Sequence, residues 1–459
     1  MRNSVIILAA GKGTRMHTEG AKALHTAAGR SLLDWSLHIA NAVDPVEISV
    51  VVGHRGEQVS ASCPEAVSVV TQEPQLGTGH AVQVGLTGLS AIDTTVVVLP
   101  ADMPLISHES IRALIAVHAA ENAAATIMTV ELADPSGYGR IVRIDGEVTG
   151  IVEERDATDD QRQIVEVNTS VYVFDGLLLQ AALARVTNDN VQSEYYLTDV
   201  VEILVSDRHT VAAVTVPTHE GIGVNTHAQL AEVSSILRGR INMDLLESGV
   251  SMLDPMRVYI DAGATVAPGA TLLPDTYLLG TTSVASGARV GPDVEATDSV
   301  IGADATVKYS VLDRATVGPR ANVGPYSHLR PGADLREGAK VGSYVEVKAS
   351  IVGKNSKVPH LSYIGDAEIG EDSNIGAATV TVNYDGYKKH KTKIGDRARV
   401  GSDTMLIAPV TIGDDAYTGA GSVITHDVPD GALGLGRSDQ RNVEGYAEKR
   451  RRRAEEEAD

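Results

Sequence analysis

Aromatic side chains are scarce in this chain. One Phe, one Trp and 14 Tyr amount to 3% of 459 residues, while apolar residues as a whole reach 43%. Sizeable cores are therefore available, and they must be aliphatic. Cysteine is almost absent: Cys63 stands alone, which excludes an internal disulfide framework and a thiolate-only metal site. No run of eighteen apolar residues occurs, and the N-terminus shows no signal-peptide pattern. The expectation is a soluble, cytoplasmic protein with no membrane insertion. Positive charge is also in short supply, with 39 Lys and Arg against 60 Asp and Glu and a formal charge of −21. Such a field repels a polyphosphate backbone and argues against a nucleic-acid binder, but it leaves room for a local basic pocket. A chain of 459 residues predicts two or more domains.

Glycine is plentiful, at 44 residues, and much of it sits in a repeat. An apolar residue returns at every sixth position along Ile260, Val266, Leu272, Leu278, Val284 and Val290. A second file runs through Val317, Val323, Leu329, Leu335, Val341 and Val347, and a third through Ile394, Val400, Leu406 and Ile412. A period of six fits neither a helix nor a simple alternating strand. It fits a parallel β-helix in which each hexapeptide is one wall and one corner. The apolar residue points inward, and Gly or Asp-like residues take the corner. The register is expected to slip twice, between Val290 and Val317 and between Ile375 and Ile394. In the second place the polar segment 383–391 is read as a loop extruded from one edge. Coils of this kind cover their own ends and faces poorly and usually associate.

The first half reads differently. The apolar runs 5–10, 48–52 and 96–99 alternate with helical patterns such as 32–42 and 111–120. That alternation predicts a mostly parallel α/β sheet, with ligands at the carboxyl ends of its strands. This domain is expected to span 1–225. Apolar residues at helical spacing from Leu230 to Leu246 predict one long connecting helix within 226–250, and 251–459 holds the β-helix and a charged tail. The tail, with Lys449 to Arg453 followed by three Glu, reads as a solvated, partly helical end.

Leu8-Ala9-Ala10-Gly11-Lys12-Gly13-Thr14-Arg15-Met16 leaves the first strand. It is neither the dinucleotide fingerprint nor a P-loop. A glycine-rich strand-to-helix turn of this kind can still offer backbone N–H groups to phosphate, with Arg15 and Lys22 as cations, though an ordinary turn explains Gly-Lys-Gly equally well. Gln72 to His80 is a polar, glycine-rich stretch, and glutamine has both the donor and the acceptor that suit the edge of uracil. Asp102 directly follows the third strand, where a carboxylate can hold Mg²⁺ near a nucleotide.

These motifs resemble the sugar-phosphate nucleotidylyltransferases. Over essentially the whole chain the sequence is similar to the enzymes that combine N-acetylglucosamine-1-phosphate uridylyltransferase and glucosamine-1-phosphate N-acetyltransferase activities. The matching blocks are Gln75 to His80, Gly137 to Arg140, Gly150 to Glu153, Glu194 to Asp199, Gly223 to Asn225, Leu329 to Ala333, His360 to Tyr363, Asn383 to Gly386 and Gly401 to Thr404. The resemblance implies a Rossmann-like nucleotidyltransferase domain joined by a helix to a left-handed parallel β-helix, and two reactions that supply a cell-wall precursor. It assigns Leu8, Ala9, Ala10, Gly11, Arg15 and Lys22 to the nucleotide and its phosphates, and Gln72, Gly77 and Thr78 to uracil. Gly139, Glu153 and Asn168 go to the N-acetylglucosamine, and Asp102 and Asn225 to Mg²⁺. Three positions depart from the family pattern: Ala101 and Ser170 stand where Gly is usual, and Ala21 where Pro is usual. None removes a charged or metal-binding group.

In the β-helix, His360 alone signals little, because a histidine is more often a surface or core residue. Arg330 and Lys348, however, lie one coil apart on one wall and would make a phosphate site. His360 falls on a different wall, so a site uniting them is expected to draw on a neighbouring chain. Solenoids with such a histidine resemble CoA-dependent acyltransferases, in which it would take the proton from an attacking amine. The resemblance assigns Arg330, Lys348, Tyr363, Asn374 and Lys389 to glucosamine 1-phosphate. It assigns Ala377, Asn383, Tyr384, Ser402, Ala420 and Arg437 to acetyl-CoA. Ala378 and Val382 replace the usual Gly and Cys and read as mild packing changes. A homotrimer is expected, with UTP, acetyl-CoA, glucosamine 1-phosphate and N-acetylglucosamine 1-phosphate as small-molecule substrates. Two rivals remain: a single-function nucleotidylyltransferase with a scaffold β-helix, and a non-enzymatic protein that binds a UDP-sugar.

Overall fold

The structure is a computed structural model that describes residues 2–11, 13–16 and 20–458. Lys12, part of the first glycine-rich motif, lies outside the described residues. The chain forms two compact units, Met1–Ile241 and Asn242–Asp459.

In the first unit, strands run in the order Val211–Thr215, Ala125–Glu131, Glu166–Asp175, Thr95–Pro100, Asn3–Ala9, Glu47–Val52 and Ser68–Thr71. Four of these pairings are parallel. Glu166–Asp175 runs antiparallel to both neighbours. It follows the hairpin Arg140–Ile144 and Glu147–Val152 and needs no helical crossover, so the chain can return in the opposite sense. Alternate residues of the central strands feed opposite faces. Val5 and Ile7 pack with Leu33, Leu37, Ile111 and Leu114, whereas Ile6 packs with Val82, Leu86, Leu179 and Val201. Burial on both faces explains why these strands read as unbroken apolar runs. Ser31 and Ser107 cap the helices Leu32–Asn41 and His108–Ala120 by accepting from Asp34 N and Ser110 N.

The helix His227–Glu247 carries the boundary between the units. Its Val233 and Leu237 are buried with Met16, Leu32, Leu105 and Val224 of the first unit. Asn242 belongs to the second unit, where its amide donates to Pro255 O at 2.8 Å and Val258 O at 3.0 Å.

The second unit is a left-handed parallel β-helix of three sheets with 11, 10 and 9 described strands. Inward residues of successive coils pair in register, as in Leu272 with Val290, Val290 with Val307 and Val307 with Val323. The hexad files point into the prism as expected. The register, however, slips in more than the two expected places. Val347 to Val352 and Ile364 to Ile369 are also five-residue steps between buried side chains. In these steps the left-handed corner residue, Ala349 or Asp366, follows the inward side chain by two positions instead of three. The corners also differ from the expected Gly or Asp: Tyr309, Arg320, Tyr326 and Tyr344 all have positive φ. Coil geometry overrides a local preference worth about 1–2 kcal/mol per residue. Stacking of Tyr326 on Tyr344 at 5.2 Å between ring centres offsets part of that strain. The tail forms an exposed helix, Tyr446–Glu456. Among the described residues no helix is long and apolar enough to cross a membrane.

Candidate active sites

All fourteen residues assigned to the first site line one cavity of about 670 Å³ in the first unit. It opens at the carboxyl ends of the central strands. Ala101 N donates to Leu8 O at 3.0 Å, and Val224 N donates to Asp102 O at 2.8 Å, so Asn225 is drawn beside Asp102. The ammonium of Lys22 donates to Asp102 Oδ2 at 2.5 Å and to Asn225 Oδ1 at 2.7 Å. Lys22, expected at the phosphates, thus pairs with both prospective metal ligands. Two oxygens converging on one cationic centre are the donor set that a hard divalent ion takes. Ala21 has φ −67°, a backbone that proline would also adopt, so the alanine keeps the turn that presents Lys22.

At one end of the cavity Gly77 has φ +111°, and a Cβ there would lie 2.6 Å from Tyr195 O. Thr78 accepts from Leu197 N at 3.0 Å, which ties this turn to segment 195–197. Gln72 is buried; its amide nitrogen reaches Gly77 O at 2.9 Å and His80 Nδ1 at 3.2 Å. Gln75, not foreseen as a site residue, donates to Ala10 O and fastens the glycine-rich turn.

At the other end, Asn168 N donates to Gly139 O at 2.9 Å, and the Asn168 amide donates to Tyr172 OH at 2.7 Å. Ser170 has φ 65°, the left-handed region that the usual glycine takes without strain. Its N–H donates to Asn168 Oδ1 at 3.0 Å, which offsets part of that strain. Burial holds the Glu153 carboxyl above its ordinary range, while Thr198, donating to Glu153 Oε1 at 3.2 Å, acts the other way. Asp199 is pushed to about 6, by burial first and then by Glu202, Glu153 and Asp156. Arg140 is 1% exposed; it donates to Tyr138 O and pairs with Glu154 at 2.7 Å, which braces this end of the cavity. Arg140, Thr198 and Asp199 fell within sequence blocks singled out above. Their roles depend on partners far away along the chain.

In the second unit, strand pairing stacks Leu329 on Val347 and Lys348 on Gly365, so Arg330, Lys348 and Tyr363 share one wall. Arg330 pairs with Glu346 at 2.7 Å, and Lys348 with Asp366 at 2.9 Å. Asn383 also donates to Asp366. Lys389 is drawn down in pKa, chiefly by its contact with Lys348, then by that residue's charge. Asp366 and Glu346, which no motif flagged, hold the cations in place. His360 lies on the next sheet, paired with Ser343, and Asn374 is on that same sheet. His360 is exposed, and its carbonyl accepts from Ser362 Oγ at 2.8 Å. The extruded loop is a small hairpin in which Asp385 accepts from the N–H groups of Tyr387 and Lys388 and meets His390 at 2.7 Å. Those bonds drive the Asp385 carboxyl far down.

Ala377, Ser402 and Ala420 stand at corresponding corners of successive coils. Asp403 N donates to Ala377 O at 2.7 Å, and Gly421 N donates to Ser402 O at 2.9 Å. The glycines before Ala377 and Ser402 leave no room for a side chain; a Cβ would lie 2.4 Å from Ser402 N on Gly376 and 2.6 Å from Ala420 N on Gly401. Backbone is thus bare along this edge, and the Arg437 side chain approaches Gly421 at its end. Ala378, read as a mild packing change, has φ 60°, so its replacement of glycine is a backbone strain instead.

An α/β unit with a cavity over its strand ends, followed by a hexapeptide β-helix with a cationic wall, defines the class of two-domain hexapeptide transferases. The MobA-like NTP transferase domain family matches residues 5–164, and the bacterial transferase hexapeptide (six repeats) family matches 391–426. Over 98% of its length the chain is similar to proteins named "Bifunctional protein GlmU". Identity is 46% with that of Corynebacterium diphtheriae, covering 95% of the relative, and 49% with that of Streptomyces avermitilis, covering 94%. The Thermobifida fusca protein of the same name is 47% identical, with 94% covered. The chain belongs to the bifunctional GlmU family.

Proposed function

We infer that this protein makes UDP-N-acetylglucosamine in two transfers. It acetylates glucosamine 1-phosphate with acetyl-CoA, then transfers UMP from UTP to N-acetylglucosamine 1-phosphate and releases pyrophosphate. The observation that supports this most is the gathering of all fourteen assigned residues around one cavity, with a separate wall of cations in the second unit. A scaffold β-helix does not need Lys348, Asp366 and Asn383 joined in a polar network.

In uridylyl transfer an oxygen of the sugar 1-phosphate attacks the α-phosphorus of UTP in line. The new P–O bond forms as the bond to the β-phosphate breaks. Glu153 and Asn168 hold the sugar, Gln72 the base, and Gly11 and Arg15 face the phosphates. Asp102 and Asn225 would hold Mg²⁺, which when bound supplies positive charge to the phosphates. Lys22, already shared between those oxygens, is free to turn to phosphate once another cation takes its place.

In acetyl transfer Arg330, Lys348 and Lys389 bind the sugar phosphate, with Tyr363 and Asn374 beside it. Coenzyme A lies along the bare edge of Ala377, Ser402 and Ala420, with Asn383, Tyr384 and Arg437 flanking. His360 takes the proton from the amine as nitrogen attacks the thioester carbon; the C–S bond breaks and the thiolate leaves. Because His360 stands on the neighbouring wall, the proposal includes a homotrimer with these sites between chains. It also includes a cytoplasmic enzyme, with uridylyl transfer in 1–225 and acetyl transfer in 251–459. The test is one reaction holding glucosamine 1-phosphate, acetyl-CoA, UTP and Mg²⁺, with free thiol and pyrophosphate read separately. Thiol without pyrophosphate, or neither, would overturn the reading.

A further inference from the structure

The Gln72 amide is already committed inside the protein. Gly77 O accepts only, so the atom facing it at 2.9 Å must be the nitrogen. The second N–H of the same nitrogen points to His80 Nδ1 at 3.2 Å. With both donors used, Gln72, which lines the cavity, has only its carbonyl oxygen to offer a ligand. His80 stands in the first turn of the helix Thr78–Leu86, and Gly79 N–H donates to Tyr195 O at 2.7 Å, so the ring is carried on a fixed backbone.

We propose that His80 is a positioning residue for nucleobase choice: its unprotonated Nδ1 accepts from Gln72, so that Gln72 presents an acceptor alone to the base. This rests on the reading that Gln72 meets uracil. Uracil carries a donor at N3, which an acceptor satisfies. Cytosine carries a lone pair at N3, which faces the same oxygen unfavourably. Without the Nδ1 acceptor, only Gly77 O holds the planar amide, and a turn of the Gln72 side chain brings its NH₂ group to cytosine N3. The site then weakens in selectivity without losing its shape, because Tyr195 O and Leu197 N still hold the turn. His80 serves this role as the tautomer with its proton on Nε2.

The test compares the KM of UTP with the inhibition constant of CTP as its competitor, in full-length His80→Leu, His80→Asn and Gln72→Ala. Pyrophosphate release from N-acetylglucosamine 1-phosphate is the readout, and thiol release in acetyl transfer is the folding control. His80→Leu should lower UTP-over-CTP selectivity about tenfold, the worth of one hydrogen bond of about 1.4 kcal/mol, with the KM of the sugar phosphate unchanged. His80→Asn, whose Oδ1 can replace Nδ1 as acceptor, should restore most of it. Wild-type selectivity in His80→Leu together with a collapse in Gln72→Ala would overturn the role of His80. So would a fall in kcat with every KM moved equally, which marks a merely structural residue. Unchanged selectivity in Gln72→Ala would instead overturn the assignment of Gln72 to the base.

Discussion

Replacing Asp199 by Asn should make the first unit more stable, with the gain appearing only as pH rises. Asp199 is half-buried at the start of the helix Asp199–Ser206, close enough to Glu153 to feel its charge. Its carboxyl is raised from 3.8 to about 6, by burial first and then by Glu202, Glu153 and Asp156. A raised carboxyl pKa means that the folded state holds the proton more tightly than the unfolded state. The resulting penalty is absent below about pH 4, grows through the window between the two pKa values, and is complete above pH 6. Two pKa units correspond to about 3 kcal/mol. Solvent screening of a half-buried group reduces this to about 1–2 kcal/mol. Asparagine keeps the volume, discards the charge, and gives up a helix N-terminal interaction of roughly 0.5 kcal/mol. The net gain is about 1 kcal/mol at pH 8 and near zero at pH 4. Trp35, the only tryptophan, lies in the first unit, so its fluorescence follows urea unfolding of that unit alone. With a slope of about 2 kcal/mol per molar urea, the midpoint should rise by about 0.5 M at pH 8 and match the parent near pH 4. A gain of equal size at both pH values, or a loss at pH 8, would refute the reasoning.

Asp102→Ala should abolish pyrophosphate release and leave thiol release intact; equal loss of both activities would show that the two sites are not separate. His360→Ala should reduce acetyl transfer about a hundredfold or more by the usual size of a general base, with uridylyl transfer from supplied N-acetylglucosamine 1-phosphate unchanged. Near-normal acetyl transfer in that variant would make His360 structural. In Gly401→Ala the new methyl group meets Ala420 N and Thr418 O at 2.6 Å, both backbone. The β-helix should lose about 1–3 kcal/mol, seen as a lower melting temperature with acetyl transfer most affected; a variant as stable as the parent would contradict the tight stacking of coils. Light scattering at micromolar protein should return three times the chain mass, and a fully active monomer would end the proposal of shared sites.

Local chemistry along the chain settled the two kinds of architecture. A six-residue apolar period has few folded solutions, and unbroken aliphatic runs between helical stretches imply strands covered on both faces. The glycine-rich turn after the strand Asn3–Ala9 and the carboxylate after Thr95–Pro100 were also visible, because strand ends and turns carry local signatures. Three-dimensional packing decided the rest. The reversed strand Glu166–Asp175 and the additional five-residue corners at Ala349 and Asp366 follow from how neighbouring strands and coils close, which no single segment encodes. The pairing of Lys22 with both Asp102 and Asn225 joins residues 80 and 203 positions apart. Asp366 gained its role only when coil stacking set it against Lys348 and Asn383, and Asp199 only when folding buried it near Glu153. Residue types and periods act over a few positions along the chain, whereas the charge, burial and partner of a side chain depend on whatever the fold brings across to it.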